Sequence, residues 1–375
     1  MILHLFHDDK VCNQVITNFE EVYPGGNIYV CICNKENLKF IKRNNNIIFL
    51  NIGEYDFDQS RLLDVEKILI HYLDVNKIEF IEKNYPRKSN VEIYWSLWGG
   101  DIYNEILYSM GFNIYDEKSY TYTLKFKLIN FINRCLARPN LKKNIKRIVS
   151  FIDTRVDYVM AFQADYDLIC EKWKSNHFRP KCISNLPIYY PIEEILGSLH
   201  NQKINGNNIV IGNSASFTNN HAYAYQYLSK VDTTGIKKIS PLSYGGSLKY
   251  LRHIKTIGYK YWGKDYYPLE NFMPLHEYNK LMLSTSIYVY GNWRQEAIGN
   301  IVMALYLGAK VYVSEKSTLL KIFSDFGIKL HKTELISSTN FFEKEDDITI
   351  QQNQQNILKL YSKKAILDHI KTIFG

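Results

Sequence analysis

The stretch that decides the fold is Ile209-Val210-Ile211-Gly212-Asn213-Ser214-Ala215-Ser216, followed by Phe217-Thr218-Asn219-Asn220-His221. A short apolar run stops at a glycine, small hydroxyl and amide side chains follow, and helix-like sequence opens at Thr218. That order predicts a strand, a tight turn and a helix N-terminus. Gly212 lets the backbone turn sharply and lets a ligand approach it closely. The N–H groups that open the helix, at its positive dipole end, offer a seat for phosphate. The plain alternative is an ordinary strand-to-helix turn with Thr218 as its N-cap.

Downstream of this turn, strands and helices alternate. Strand Ile236–Ile239 runs into a loop holding Pro241, Gly245 and Gly246, then a helix over Ser247–Ile257 and a short strand over Tyr259–Trp262. Helix Leu275–Leu283, strand Ile287–Tyr290, helix Arg294–Leu307 and strand Lys310–Val313 follow, and Gln351–Ile373 reads as helix. Upstream the same alternation is found. Strands are expected at Ile2–Phe6, Asn27–Ile32, Ile47–Leu50, Lys67–Tyr72, Val91–Trp98 and Asp157–Phe162, with helices at Val11–Val22, Asp74–Lys83 and from Ile102. Val91–Trp98 is a continuous apolar and aromatic run of the type buried on both faces of a parallel sheet. Two runs of βαβ spacing predict a two-domain α/β protein. The Pro-punctuated Arg179–Pro191 and the polar His200–Asn208 mark the junction between them. The expected division is residues 1–190, residues 205–345, and a C-terminal segment 346–375 that returns to the first domain.

At 375 residues, with 46% hydrophobic residues, the chain is long enough for two cores. A net charge of +8 with only 22% charged residues is a modest basic excess. It points away from nucleic acid and fits an anionic small ligand or an anionic membrane surface. The six cysteines contain no CxxC pair, so free thiols in a reducing cytosol are expected. Met1–Phe6 lacks the charged start of a secretion signal and reads as the first strand. The apolar run from Ile298 to Val313, broken by Asn300 and Lys310, falls short of a membrane span.

Lys125–Arg147 stands apart: it carries eight basic residues, among them Lys142, Lys143, Lys146 and Arg147, interleaved with large apolar ones, and no acid. Pro139 is expected to divide it into two short helices. It is either a solvated helix face or an interfacial basic helix that docks on anionic lipid headgroups.

Three loops of the second half follow strands and so belong at the carboxyl edge of its sheet. They are Gly212–Ser216, Ser240–Gly246 with Tyr244, and Tyr290–Asn300 with Arg294, Gln295, Glu296 and Gly299. Arg294 complements phosphate charge, and Glu296 is placed to accept hydrogen bonds from ribose hydroxyls. None of the three fits GxGxxG or GxxxxGK[ST]. In the first half the corresponding loops carry His7, His71 and Trp98-Gly99-Gly100-Asp101. Asp101 is either a helix cap, or a general base or a group that orients a sugar hydroxyl. A metal centre has weak support. Asp56-x-Asp58 lies in a polar loop, Asp165-x-Asp167 opens a helix, and no His/Cys cluster has zinc spacing.

Taken together, Trp95-Ser96-Leu97-Trp98-Gly99-Gly100-Asp101-Ile102-Tyr103 resembles the W-x-x-W-G-x-D-x-Y segment of the bacterial 4-acetamido-4,6-dideoxygalactose (Fuc4NAc) transferases, TDP-Fuc4NAc:lipid II transferases of glycosyltransferase family 56. Ile211-Gly212-Asn213-Ser214 with His221 is similar to that family's V-G-N-S…N-x-H, and Arg294-Gln295 with Ile298-Gly299 to its R-Q-x-x-I-G. The resemblance implies a GT-B fold, two Rossmann-like domains facing an interdomain cleft, with the nucleotide-sugar on the second and the acceptor on the first. It implies a metal-independent glycosyltransferase without cofactor, peripheral on the cytoplasmic face of the bacterial inner membrane. That enzyme would move a deoxyamino sugar from a dTDP-linked donor to an undecaprenyl-diphosphate-linked saccharide of enterobacterial common antigen, O-antigen or capsule. A UDP-hexosamine donor, or a protein that binds a nucleotide-sugar without turnover, are the alternatives. On this reading Gly212, Asn213, Ser214 and Ser216 hold the diphosphate, and Arg294 and a helix start at Gln295 close over it. His221, Glu296 and Gly299 complete the donor site, Tyr244 meets the base, and Asp101 is the acceptor base with His7 or His71 second.

Overall fold

The computed structural model describes residues 1–36, 38–41, 46–85, 90–117, 119, 138–173 and 178–375. By internal contacts the chain divides into two compact units. The first takes Met1–Phe112, Cys135–Tyr190 and Lys363–Gly375; the second takes Asn113–Arg134 and Pro191–Ser362.

The first unit is a seven-stranded, all-parallel sheet. Its elements are β1 (Ile2–Phe6), α1 (Cys12–Val22), β2 (Asn27–Ile32), β3 (Ile47–Leu50), β4 (Lys67–His71), α2 (Val75–Asn84), β5 (Glu92–Ser96), α3 (Gly100–Ile102, continued by a π-turn over Tyr103–Leu107), α4 (Arg138–Arg155), β6 (Tyr158–Ala161), α5 (Gln163–Lys172) and β7 (Lys181–Ser184). The strand order is β3-β2-β1-β4-β5-β6-β7. The register pairs Ile2 with Asn27 on one side of β1 and with Lys67 on the other. Leu3, Leu5, Leu69, Ile70 and Trp95 are wholly buried, as a parallel sheet covered by helices on both faces requires.

The second unit holds α6 (Ile192–Leu196), β8 (Asn208–Ile211), α7 (His221–Leu228), β9 (Lys238–Pro241), α8 (Leu248–Trp262), β10 (Tyr266–Leu269), α9 (Leu275–Leu283), β11 (Thr285–Val289), α10 (Ile298–Tyr306), β12 (Lys310–Val313), α11 (Leu319–Asp325), β13 (His331–Lys332) and α12 (Asp347–Tyr361). Its strands run β10-β9-β8-β11-β12-β13, all parallel. Counted from the first strand of each unit, both sheets have the order 3-2-1-4-5-6, and the first adds a seventh strand at the end. The order reverses beside β1 in one unit and beside β8 in the other. Such a reversal opens a crevice at the carboxyl ends of the strands, where α/β sheets bind ligands.

Several sequence expectations are corrected. Tyr259–Trp262 is the last turn of α8, and the edge strand is the later Tyr266–Leu269. Its aromatic residues favour strands locally, but the buried positions Tyr250, Ile254 and Gly258 recur every fourth residue and set a helical face. Gly258 lets that face press onto β10, since a Cβ there would lie 2.4 Å from the Tyr266 ring. The helix expected from Arg294 begins only at Ile298, after Ala297 at φ 66°.

Pro139 does not interrupt α4. It occupies the first turn of α4, where its missing N–H has no partner to lose, and α4 runs on to Arg155. Residues 125–137 of the basic segment lie outside the described residues. The C-terminal segment is two helices parted at Ser362: α12 stays with the second unit, and α13 (Lys363–Phe374) packs on α1 of the first. Ile366, Ile370 and Phe374, at helical spacing, are buried in the first unit's core. Among the described residues no helix is long and apolar enough to cross a membrane.

Candidate active site

In the second unit the loops leaving β8 and β11 meet at the reversal of strand order. Gly212 sits at φ 73°, and a Cβ there would lie 2.8 Å from Asn219 Oδ1 and 3.0 Å from His221 Nε2. Gly291 is equally constrained, 2.7 Å from the Asn220 carbonyl oxygen by the same measure. The missing side chain at Gly212 makes room for the side chains of Asn219 and His221, and that at Gly291 for the backbone carbonyls of Asn219 and Asn220. Gly246, in the loop after β9, packs against the Ala215 carbonyl, and the Ala215 N–H donates to the Tyr244 carbonyl at 2.7 Å. Three expected loops are thus brought together, with Tyr244's own side chain 48% exposed.

The Gly212 turn differs from the expected phosphate seat. Most of its amides are already used: Gly212 N donates to Val289 O, Asn213 N to Asn219 Oδ1, Ser216 N to Ser214 Oγ and Asn219 N to Ser216 O. Ser216, not Thr218, caps the 3-10 turn Phe217–Asn219, and α7 starts at His221 after Asn220 at φ 46°.

Open amides lie on the other loop. From Asn292 to Asn300 no backbone N–H donates to an acceptor among the described residues; the first paired amide is that of Ile301, on Ala297 O. A run of such groups ahead of a helix is an anion-binding arrangement. Gly299 lies in the first turn of α10 within it.

Glu296 is the hub that holds these loops. Its Oε2 accepts from Thr218 Oγ1 at 2.8 Å and Asn292 Nδ2 at 2.8 Å, and pairs with Arg294 Nη2 at 3.0 Å; its Oε1 accepts from Asn219 Nδ2 at 3.3 Å. The expectation that Glu296 binds ribose hydroxyls is therefore corrected, because both oxygens already serve the protein. Arg294 is 7% exposed, donates Nη1 to its neighbour's carbonyl, and is charge-paired in place. Thr218, Asn219 and Asn292 complete the hub; the sequence offers Thr218 only as a helix cap and gives Asn219 and Asn292 no role. The signal available was the amide-rich Asn219-Asn220 and Asn292 after two strand ends.

Around the hub, buried polar atoms lack partners: Asn213 Oδ1, Tyr290 OH, Asn292 Oδ1, Trp293 Nε1, Arg294 Nε and Gln295 Oε1. An unmade buried hydrogen bond costs about 1–3 kcal/mol, so such a concentration marks a place prepared for a polar ligand. His221 belongs to the same group. It is fully buried, its Nδ1 lies 3.1 Å from Tyr250 OH, and its Nε2, packed under Gly212, has no partner. Burial lowers its pKa to about 3, so it is a neutral imidazole.

The first unit's residues fall differently. Asp101 is buried, and its carboxylate accepts from Trp95 Nε1 at 2.8 Å, Trp98 N at 3.1 Å and Leu73 N at 3.2 Å. Burial raises its pKa, but its oxygens are turned inward, tying the loops after β4 and β5 together. The expected base is thus a positioning residue. His71 is also set aside. Wholly buried, it pairs with His4 Nδ1 at 3.1 Å and with Tyr189 OH at 2.7 Å, and burial holds it well below its usual pKa. His7 remains. It follows β1, packs on the rings of Tyr72 and Trp98, and is lowered to about 4 by burial and then by Lys77.

Among the described residues no group of three His, Cys, Asp or Glu is placed to hold a metal ion. Asp56 pairs with Lys83, Asp58 caps Ser60, and Asp165 accepts from Tyr103 OH. Of the expected docking cations, Lys143 and Lys146 are exposed and the Lys142 side chain lies outside the described residues. Arg147 is taken: it bonds Glu79 at 2.6 Å and Glu82 at 2.5 Å on α2.

No protein-family model matches the chain. Solved structures match along its whole length. The sucrose-phosphate synthase of Thermosynechococcus elongatus superposes with a TM-score of 0.62 at 9% identity, covering 100% of this chain and 98% of that one. Anabaena Alr3699/HepE, in complex with UDP and glucose, gives 0.63 at 11%, covering 99% and 98%. A UDP-forming α,α-trehalose-phosphate synthase of Burkholderia vietnamiensis gives 0.61 at 10%, covering 100% and 99%. The chain has their fold, the two-domain α/β GT-B architecture expected from its sequence.

Proposed function

We propose that the chain is a glycosyltransferase that takes its sugar from a nucleoside diphosphate and seats that donor on the second unit. The observation that carries this is the loop after β11. Open amides from Asn292 to Asn300 stand next to buried, unpaired polar side chains and to Arg294, at the reversal of strand order. As the sugar–phosphate bond breaks, negative charge grows on the departing diphosphate. Fixed amide dipoles and a held guanidinium lower the cost of that charge, because they need no reorganisation when it appears.

The GT-B fold, and the UDP bound in the similar HepE structure, support a nucleotide donor. The sequence resemblance adds the finer reading: a dTDP-linked deoxyamino sugar of the Fuc4NAc type, and an undecaprenyl-diphosphate-linked saccharide as acceptor on the first unit. The work would be done at the cytoplasmic face of the bacterial inner membrane, in surface-polysaccharide synthesis. On this reading His7, neutral at physiological pH, takes the acceptor-base role that Asp101 and His71 do not. Release of nucleoside diphosphate from a panel of dTDP- and UDP-sugars, with and without a polyprenyl-diphosphate saccharide, tests the proposal. Acceptor-dependent release from one dTDP-sugar is the expected result. Preference for a UDP-hexosamine would replace the donor, and tight donor binding without release under any condition would make this a binding protein.

A further inference from the structure

Helix α8 has an outer face that nothing in the donor site uses. Its inner face, Tyr250, Ile254 and Gly258, is packed against the unit's core. On the outside, Lys249, Arg252, Thr256 and Lys260 recur at i, i+3, i+7 and i+11 and are exposed, so they form one stripe along the helix. Leu248 is 72% exposed and Tyr259 48% beside that stripe, and Tyr261 and Tyr267 are each 41% exposed past its end. Lys249, Arg252, Lys260 and Lys264 have no ion-pair partner among the described residues; the helix's Lys255 alone is paired, with Glu270 at 2.7 Å. The stretch from Thr233 to Lys264 contains no acid. Lys237 lies 3.8 Å from the Tyr267 ring centroid, so that tyrosine and its cation form one amphipathic unit.

We propose that this face of α8 docks the protein on an anionic phospholipid bilayer. A helix of 15 residues spans roughly 22 Å, long enough to lie along the headgroup layer. Free cations facing outward draw it to an anionic leaflet, and tyrosines with an apolar ring and a polar tip sit at the boundary between headgroups and acyl chains. In the Lys142–Arg147 segment, by contrast, Arg147 is neutralised by two glutamates. The surface deepens the proposed function by supplying access to a lipid-linked acceptor, and it rests on that reading for its purpose but not for its test.

The test is flotation of the full chain with phosphatidylglycerol–phosphatidylcholine vesicles and with pure phosphatidylcholine vesicles, at low and high salt. Wild type floats with the anionic vesicles only, and less as salt screens the attraction. The K249Q/R252Q/K260Q/K264Q variant binds roughly tenfold or more weakly, and Y259S/Y261S binds more weakly at every salt concentration. K143Q/K146Q floats like wild type. Each variant is checked for an unchanged melting temperature, and the quadruple variant keeps donor turnover on a water-soluble acceptor analogue. The proposal is overturned if the quadruple variant floats as wild type does, if K143Q/K146Q abolishes flotation, or if wild type prefers single-stranded RNA to anionic vesicles at equal salt. Loss of turnover with flotation intact would instead count against the transferase reading.

Discussion

The two units share one strand order and end their strands in opposite ways. In the first, acidic side chains close the carboxyl edge. Asp8 accepts from the amides of Lys39, Phe40 and Ile41, Asp9 from Val11, Asp74 from Lys77, and Asp101 from Leu73 and Trp98. In the second, the loop after β11 has no such cap, and its one carboxylate, Glu296, holds Arg294 and neighbouring side chains instead. Carboxylates at helix N-termini stabilise the fold but repel an anionic ligand. On the proposed reading the loop that leaves its amides open is the one that receives the diphosphate, a distinction that topology alone does not draw.

The largest expected effect follows from that difference. Arg294→Ala removes the held cation and should lower kcat/KM by about 2–4 kcal/mol, the scale of losing one preorganised donor to developing charge. Steady-state kinetics with the preferred donor measure it, and unchanged turnover would move the phosphate site off this loop. Asp101 sets the contrast. Asp101→Ala strips acceptors from three buried donors and should cost about 2–3 kcal/mol of stability in urea unfolding. Asp101→Asn, which keeps an acceptor oxygen, should fold and retain kcat within a few-fold. A collapse of kcat in that variant at normal stability would restore Asp101 as the base and break the comparison.

How much of this was legible in the sequence follows from the range of the forces involved. Apolar runs such as Ile2–Phe6 and Ile209–Ile211 depend on burial of every residue, and they give both sheets. The loop beginning at Tyr290 is visible because a glycine follows a strand. The partner of a carboxylate is not visible: nothing in the sequence around Asp101 says that it faces the Trp95 indole, six residues back, and the Leu73 amide, brought in by β4. The same holds for Glu296, whose donors at Thr218 and Asn219 are far away in sequence. Tyr259–Trp262 misleads because aromatic β-propensity is local whereas the face that buries Tyr250 and Ile254 is set by the whole helix. The break at Ser362 is equally hidden, since α12 and α13 are both helical and only their packing partners differ.

Acid should act on both units through neutral buried histidines. His4 and His221 are each lowered by burial from 6.5 to about 3, and His71 is lowered as well. Between those values the unfolded chain binds protons that the native one excludes. Stability is therefore unaffected above about pH 6.5 and falls as pH drops toward 3, by up to about 1.4 kcal/mol per pH unit for each histidine. Urea midpoints between neutral pH and mild acid measure the slope. His4→Gln should flatten it; an unchanged slope would mean that carboxylates alone set the acid limit.

The smallest effect concerns α4, where the two readings of one arginine part. Arg147 reaches from α4 to Glu79 and Glu82 on α2, with its side chain 35% exposed. As a docking cation its loss would weaken vesicle binding; as a clamp between helices it would weaken folding slightly. Two acids already surround one cation, so the cluster carries net negative charge and attracts no anionic lipid. Partial exposure limits the clamp, because water and salt screen such pairs. Arg147→Gln should therefore cost about 0.5–1 kcal/mol in urea unfolding, less at high salt, and leave flotation with anionic vesicles unchanged. A loss of flotation without loss of stability would return the docking surface to α4 and with it to the first unit.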